Sequence, residues 1–282
     1  MVKNTISLED QKKIMLDILE KTVVFLEKHE LKYSLAFGTL LGAVRHGGFI
    51  PWDDDVDIMM PMEDYKRFIE LAQTEEIAED LFVSIPFVNP GHIWQVVKII
   101  SKKTKLIEPI LTKKYRKCQE PFGGVYIDVF PVYGVPDDSA QRARFHKKIC
   151  NLYKAMSRSS WVVNDFPGVF GKVKKLIYEI CFIPYKIVGL KHYIKKLIET
   201  TEKYPFGSTK YTSYGMGFIQ NLRDTALTED VLDTIDMNFD GVKCKAPARY
   251  DAVLKQLYGD YMQLPPENQR KVHVREVFWR KN

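Results

Sequence analysis

Four aspartates fall within five residues of the segment FIPWDDDVDIMM (residues 49–60), and apolar side chains follow at once. Clustered carboxylates repel one another and raise one another's pKa, so a strand that turns apolar directly after them normally needs a cation beside the acids. Asp55 and Asp57 are two residues apart in a predicted strand. Their side chains therefore share one face with that of Asp53 and can hold a hard metal ion, with Asp53 as a further ligand or a support.

Other acidic segments share part of this pattern. An EF-hand loop counted from Asp53 would place Ile58 at its invariant glycine and Asp64 at its final glutamate, without a helix–loop–helix frame, so an EF-hand is excluded. A bare D-x-D pair also occurs in glycosyltransferases that hold a metal-bound sugar nucleotide. A purely structural acidic turn is the remaining alternative.

The residues before the acids predict a phosphate-binding turn. KYSLAFG (32–38) is typical of a short strand, and TLLGAVRHGG is typical of a short helix closed by Gly47 and Gly48. Gly38 and Thr39 then lie at a helix N-terminus, where backbone N–H groups and a hydroxyl bind phosphate readily.

A third acid stands alone in an apolar strand, YIDVFPV (126–132). A buried aspartate needs a partner, and a second metal shared with Asp55 and Asp57 would supply one to Asp128. The sequence therefore predicts a two-metal carboxylate site formed by these three residues.

This order of a glycine-plus-hydroxyl turn, a D-x-D strand and a third acid on another strand resembles the nucleotidyltransferase fold of the polymerase-beta type. In that fold, two metals clamp the oxygens of an in-line displacement at phosphorus. GTLLGAVRHGGFIPWDDDVDIMM (38–60) resembles the signature of the LicD family, and fukutin-type proteins carry a related core. YIDVFPV and ARYDAVLKQLYGDYMQLPPENQRKVH (248–273) extend the resemblance.

The resemblance implies an α+β fold, with a mixed sheet core flanked by helices and a helix-rich part after it. The alternation of helix and strand over residues 7–135 independently favours a sheet core. We expect one LicD-like domain over 1–282, made of a core (1–137), a helical basic segment (138–210) and a C-terminal substrate-side segment (211–282). Helices are predicted over 7–29, 62–73 and 248–259, and strands over 81–88, 93–101 and 125–135. Ser7 is predicted to cap the first helix, with Asp10 three positions later as in a capping box.

LicD-like enzymes move phosphocholine from CDP-choline to a sugar hydroxyl of a bacterial surface glycan, such as teichoic acid or lipopolysaccharide. The resemblance therefore implies a Mg²⁺- or Mn²⁺-dependent phosphotransferase that releases CMP and acts on a glycan acceptor, which can be lipid-linked. Alternatives are a transferase for CDP-ribitol, CDP-glycerol or a sugar nucleotide, a true nucleotidyltransferase, and a silent binding protein. The presence of all three predicted metal ligands disfavours the silent protein.

Roles for the acids and the turn follow from charge. Asp55 and Asp57 hold the metals on the diphosphate, while Asp128 completes the second metal and takes the proton of the attacking hydroxyl. Gly38 and Thr39 contact the phosphate.

Five further residues are candidates for the donor site. Arg45 and His46 suit the developing charge, although Arg45 could instead only pair with the aspartates. Lys98 could reach the diphosphate or be an exposed strand lysine, and His273 could contact the donor or only pack. Trp52 is the first candidate for the quaternary ammonium of choline, which aromatic faces bind, although a tryptophan after a proline can also only wedge a loop.

The formal charge of +6 fits a phosphate-bearing partner but also an ordinary globular enzyme. No nucleic-acid recognition motif is present, so we expect no nucleic-acid partner. Four irregularly spaced cysteines predict buried thiols in a reducing cytoplasm, and the N-terminal MVKNTISLED has no apolar run of a signal peptide. Residues 171–196 hold seven lysines and one acid, Glu179. This stretch predicts peripheral contact with the inner face of the membrane, or alternatively a core helix pair broken at Pro184.

Overall fold

The computed structural model describes residues 5–86, 96–107, 123–160, 168, 170–214, 225–270 and 276–280. Its helices are α1 (Leu8–Lys28), α2 (Phe37–His46), α3 (Met62–Leu71), α4 (Ser139–Ser160), α5 (Gly171–Val188), α6 (Leu190–Thr201), α7 (Thr228–Leu232), α8 (Tyr250–Tyr258) and a 3₁₀ turn (Glu267–Gln269). Its strands are β1 (Ser34–Leu35), β2 (Asp57–Pro61), β3 (Leu81–Ser84), β4 (Val97–Ser101), β5 (Thr104–Ile107), β6 (Tyr126–Val135), β7 (Tyr211–Ser213), β8 (Thr225–Leu227), β9 (Thr234–Phe239), β10 (Val242–Pro247) and β11 (Glu276–Trp279).

The central sheet is mixed, which confirms the predicted α+β fold class. Its strand order is β1-β2-β6-β4-β3, and the end of β6 continues the sheet through β7 to β8. β2 and β6 are parallel, whereas β4 runs antiparallel to β6. This register sets Asp57 and Lys98 on either side of Asp128. The domain boundaries at residues 137 and 210 stay a prediction.

Helix α1 forms much of the core that supports this sheet. The Ser7 hydroxyl caps the helix by accepting the N–H of Asp10, as the sequence predicts. Ile18, Leu19 and Leu26 are fully buried, and they belong to the same apolar cluster as the residues of β2, β4 and β6. This core holds the acidic segment against a rigid base.

Two strand predictions around the acidic segment are wrong in their extent. The strand predicted over 32–38 has only two residues because α2 already begins at Phe37. β2 begins only at Asp57, since a turn joins the N–H of Asp53 to the carbonyl of Ile50 and aspartate is a poor strand former. The alternation argument therefore fails before Asp57. β3 ends at Ser84, and residues 87–95, which include most of the remaining predicted strand positions, lie outside the described residues.

The helix-rich segment does not contain the core helix pair broken at Pro184 that the sequence offered as an alternative. α5 continues through Pro184, and the break lies at Gly189, whose φ of 84° favours glycine. Gly171 is the one buried residue of α5, so a core helix pair is wrong. Cys244 is buried as predicted, but Cys181 of α5 is exposed. No helix among the described residues is long and apolar enough to cross a membrane.

Candidate active site

The acids converge from two segments of the chain. Carboxylate oxygens of Asp53, Asp54 and Asp55 lie within 4.8 Å of one another in the irregular segment before β2. Asp57 is buried at the first position of β2, and its register partner on β6 is Asp128. The strand pairing therefore brings the third predicted acid beside the D-x-D pair, while Asp54, which the alternation argument pointed away, joins the cluster.

Burial and mutual repulsion make these carboxylates hard to ionise together. Burial raises the pKa of Asp53 to about 7, with further contributions from the charges of Asp55 and Asp54. Burial also raises the pKa of Asp57, and the charges of Asp55, Asp128 and Asp53 add to that effect, against a smaller lowering by Lys98. Such a set has a deficit of positive charge that a bound cation would relieve.

Lys98 is the positive group built into this centre. Its Nζ lies 2.7 Å from Asp128 Oδ1 and 3.3 Å from the centre of the Tyr126 ring. The lysine side chain is 6% exposed, so the alternative of an exposed strand lysine is wrong. Asp128 thus has a protein partner, and its burial alone no longer requires a second metal.

The first turn of α2 fits closely against the acids. Phe37 has a φ of 44°, a strained value for an aromatic residue, and its ring packs on Phe130. A Cβ on Gly38 would lie 2.8 Å from Asp53 Oδ2, so glycine lets that carboxylate approach the helix. Thr39 is buried, and its hydroxyl accepts the N–H of Asp57 at 2.8 Å. Thr39 therefore fixes the start of β2.

Arg45 and His46 lie at the other end of α2, roughly 10 Å along the helix axis from Gly38. Arg45 donates from Nη1 to the carbonyl of Tyr261 at 2.8 Å and from Nε to His46 Nε2 at 3.0 Å. Within the described ranges it forms no salt bridge with an aspartate, so that alternative is wrong. Burial and the charge of Arg45 lower the pKa of His46, which favours the neutral imidazole that accepts the hydrogen bond from Arg45.

Trp52 lies in the turn before the acids, beside this end of α2. The Arg270 guanidinium stands 5.2 Å from the centre of its ring, and His46 meets the ring edge-on at 6.5 Å. A second cation on the face covered by Arg270 would be repelled, which weakens the assignment of Trp52 to choline. That role stays a prediction, and His273 lies outside the described residues.

Three residues near the site have no role assigned from the sequence. Tyr258 ends α8, and the charges of Asp57, Asp53 and Asp55 add to burial in raising its pKa. Tyr258 and Arg270 both fall in the family-like segment 248–273. The resemblance therefore marked this segment, but it did not show that these two side chains lie near the site. Lys12 of α1 donates to the carbonyls at positions 50 and 51, each at 3.0 Å, and anchors the turn before the acids.

Comparison with known proteins agrees with this geometry. Residues 30–156, which include the acids and Lys98, match the family described as LicD/FKTN/FKRP, nucleotidyltransferase domain. The chain is 27% identical to the lipopolysaccharide cholinephosphotransferase LicD of Haemophilus influenzae over 97% of this chain and 98% of that protein. It is also 54% identical to the human ribitol 5-phosphate transferase FKRP over 50 residues, 18% of this chain and 10% of that protein.

The matched family, the mixed sheet and the grouped acids agree in one conclusion. The fukutin-type relation expected from the P-W-D-x-D-x-D core is confirmed by the FKRP match. The chain therefore carries a LicD-type nucleotidyltransferase domain over residues 30–156 and is similar over nearly its whole length to a LicD cholinephosphotransferase.

Proposed function

We propose that this enzyme transfers phosphocholine from CDP-choline to a sugar hydroxyl of a bacterial cell-surface glycan and releases CMP. The observation that carries the proposal is the acidic centre, where aspartates from two chain segments meet one buried lysine. The match to a lipopolysaccharide cholinephosphotransferase over nearly its whole length supports phosphocholine as the transferred group. Lipopolysaccharide is therefore the first acceptor to test, with teichoic acid second.

A hard divalent cation fits the chemistry of the donor set. Carboxylate oxygens are the ligands that Mg²⁺ and Mn²⁺ prefer, and the close approach of Asp53, Asp54 and Asp55 leaves negative charge that Lys98 alone does not balance. Asp55 and Asp57 would hold the ion, with Asp53 beside them. When bound, it would neutralise the diphosphate and the leaving oxygen of the donor.

The chain's own residues would orient the reactants and move the proton. The acceptor hydroxyl oxygen forms a bond to the phosphorus that carries choline, and the bond from that phosphorus to the bridging oxygen breaks, so CMP leaves. Asp128 takes the hydroxyl proton, and Lys98, whose Nζ lies 2.7 Å from Asp128 Oδ1, orients the Asp128 carboxylate. We assign Gly38 to close approach of the phosphate at the start of α2, and Arg45 with Arg270 to the nucleotide half of the donor.

A second candidate donor is CDP-ribitol. The match to the ribitol 5-phosphate transferase FKRP favours it, although that match spans only 50 residues. The attack at phosphorus is the same for both donors, so the acidic centre does not separate them. The pocket that binds the alcohol would separate the two donors. A direct comparison of CDP-choline with CDP-ribitol therefore decides which donor the enzyme uses.

The test is CMP release from CDP-choline by the purified protein with lipopolysaccharide and Mg²⁺ or Mn²⁺, measured by chromatography. CDP-ribitol and CDP-glycerol run in parallel. Asp55→Asn removes one proposed ligand, and Asp236→Asn is the matched control because Asp236 is an acid paired with Lys245 away from the site. Circular dichroism checks that each variant is folded.

We expect acceptor-dependent CMP from CDP-choline that disappears in chelator and in Asp55→Asn but persists in Asp236→Asn. If CMP were released from CDP-ribitol alone, the proposed donor would change from CDP-choline to CDP-ribitol, and the proposed role of the acidic centre would stand. Full activity of Asp55→Asn would overturn the site, and no CMP from any donor by folded protein would overturn the transfer itself.

A further inference from the structure

Helix α5 turns its apolar side chains toward solvent. Seven aliphatic residues of this one helix have relative exposures between 48% and 79%, and they are Val173, Leu176, Ile177, Ile180, Ile183, Ile187 and, as the last residue of the helix, Val188. Phe170, just before the helix, is 80% exposed. A contiguous apolar surface of this kind on a soluble chain normally marks a place of contact with another molecule or a membrane.

The spacing of these residues makes them one stripe. Positions 173, 176, 177, 180, 183 and 187 follow the three- and four-residue steps that share one side of an α-helix. The opposite side of α5 carries Tyr185, whose hydroxyl accepts a hydrogen bond from Arg158 of α4 at 2.7 Å. The helix is therefore attached to the fold by its more polar side, and the aliphatic stripe (residues 173–187, as spaced above) faces outward.

Lysines flank this stripe. By helical position, Lys172 and Lys186 lie to one side of it and Lys174 lies to the other, and all three are exposed. Glu179 is the single acid of the stretch 171–196, and it is half-buried. An apolar stripe bordered by cations complements a surface that is apolar inside and negatively charged outside, which is the surface of a bilayer that contains anionic lipids.

We propose that α5 lies in the interface of an anionic membrane, with the aliphatic stripe among the acyl chains and its lysines at the lipid headgroups. A protein partner fits this surface less well. The stripe is convex and purely aliphatic, whereas the residues that dominate protein interfaces are mainly tryptophan, tyrosine and arginine. No helix of the described chain can span a bilayer, so α5 rests on the membrane. This surface is separate from the acidic centre.

The experiment is flotation of the full-length protein with vesicles of phosphatidylcholine alone and with vesicles that also contain phosphatidylglycerol. Ile177→Asn and Ile187→Asn place an amide in the stripe, and each should lower vesicle binding at least about tenfold. Lys172→Gln and Lys186→Gln should each lower it about fivefold on anionic vesicles only. Val24→Asn on α1 and Lys154→Gln on α4 are matched controls at exposed helical positions and should bind normally.

Binding that needs phosphatidylglycerol and the stripe, with normal controls, supports the proposal. Absence of binding, or binding that survives both isoleucine variants, overturns it. Light scattering provides a separate outcome: a dimer that the same variants dissociate, without vesicle binding, would assign the stripe to self-association and also overturn the proposal. CMP release in detergent-dispersed acceptor should be unchanged in all these variants, so failure here is distinguishable from failure of the proposed transfer.

Discussion

In the acidic centre, charged side chains are buried against apolar strands, whereas on helix α5 apolar side chains are exposed between lysines. Asp57 and Lys98 are 9% and 5% exposed, while Ile187 of α5 is 79% exposed. Each placement costs free energy in the isolated chain. Residues that break the ordinary rules of burial in this way are expected at functional sites, where a ligand offsets the cost.

The largest expected effect concerns the acids. Asp57→Asn removes a charge that proposed catalysis requires, so we expect CMP release to fall on the order of 10²–10³-fold. The same change relieves repulsion with Asp55 and Asp53, so the thermal stability of the protein in chelator should rise. Calorimetry and the CMP assay together test this. If Asp57→Asn lowered stability and activity together, Asp57 would be a structural residue. The acidic centre would then no longer contrast with α5 as a site where function explains an unfavourable burial.

Lys98→Met tests whether the buried cation holds the centre together. Breaking a buried ion pair removes the Lys98 ammonium from the Asp128 carboxylate, and we expect a loss of about 3 kcal/mol in the free energy of unfolding. Denaturant titration measures it. The double variant Lys98→Met with Asp128→Leu should recover most of this stability and none of the activity. An unchanged unfolding midpoint for Lys98→Met would contradict the buried pair.

The sequence predicted the parts of this contrast that depend on local pattern. The apolar run of β6 and the Ser7 cap of α1 lie as predicted, and the resemblance of residues 38–60 to LicD proteins agrees with the family model that matches residues 30–156. The partnership of Lys98 with Asp128 escaped prediction because 30 residues separate them, and only the strand register joins them.

The sequence left two interpretations of α5 open, membrane contact and a core helix pair, for a physical reason. Its residues alternate between apolar and basic at helical spacing, which is equally typical of a helix packed on a core and of one packed by its opposite side. Tertiary contact alone decides which side faces the fold. The contact of Tyr185 with α4 gives that orientation. Tyr258 and Arg270 were missed likewise, since nothing local indicates that Tyr258 of α8 lies near the acids or that Arg270 lies over the ring of Trp52.

A smaller effect is expected from Gly38→Ala. The new Cβ would push against the Asp53 carboxylate, and we expect a loss of about tenfold in kcat/KM, comparable to loss of a group that supports metal ligands. Alanine is the better helix former, so stability should not fall. In an Asp53→Asn background the loss from Gly38→Ala should shrink, since the clash concerns that side chain. If Gly38→Ala lowered kcat/KM equally in the unmodified and in the Asp53→Asn background, the effect would not arise from the clash with the Asp53 carboxylate.

The smallest effect separates an ion pair of the core from one on the helical segment. Asp80 contacts Lys21 of α1 and Lys103 after β4, and these lysines hold the pKa of Asp80 at about 2 despite an opposing contribution from burial. A folded-state pKa below the unfolded one means that the stabilisation is complete above pH 4 and is lost as the pH falls towards 2.

Asp80→Asn should therefore lower the free energy of unfolding by about 1 kcal/mol at pH 7, a value that allows for solvent screening. The effect is expected because the ion pairs of Asp80 join separate elements. The difference from the unmodified protein should shrink between pH 4 and pH 2 in urea titrations. Glu199→Gln on α6 is the control, since Glu199 and Lys196 pair within a single helical turn and both side chains are largely exposed, so the effect of this substitution should be smaller. If both substitutions cost the same, the core and the helical segment would not differ in how their charges contribute to stability, and the contrast would rest on α5 alone.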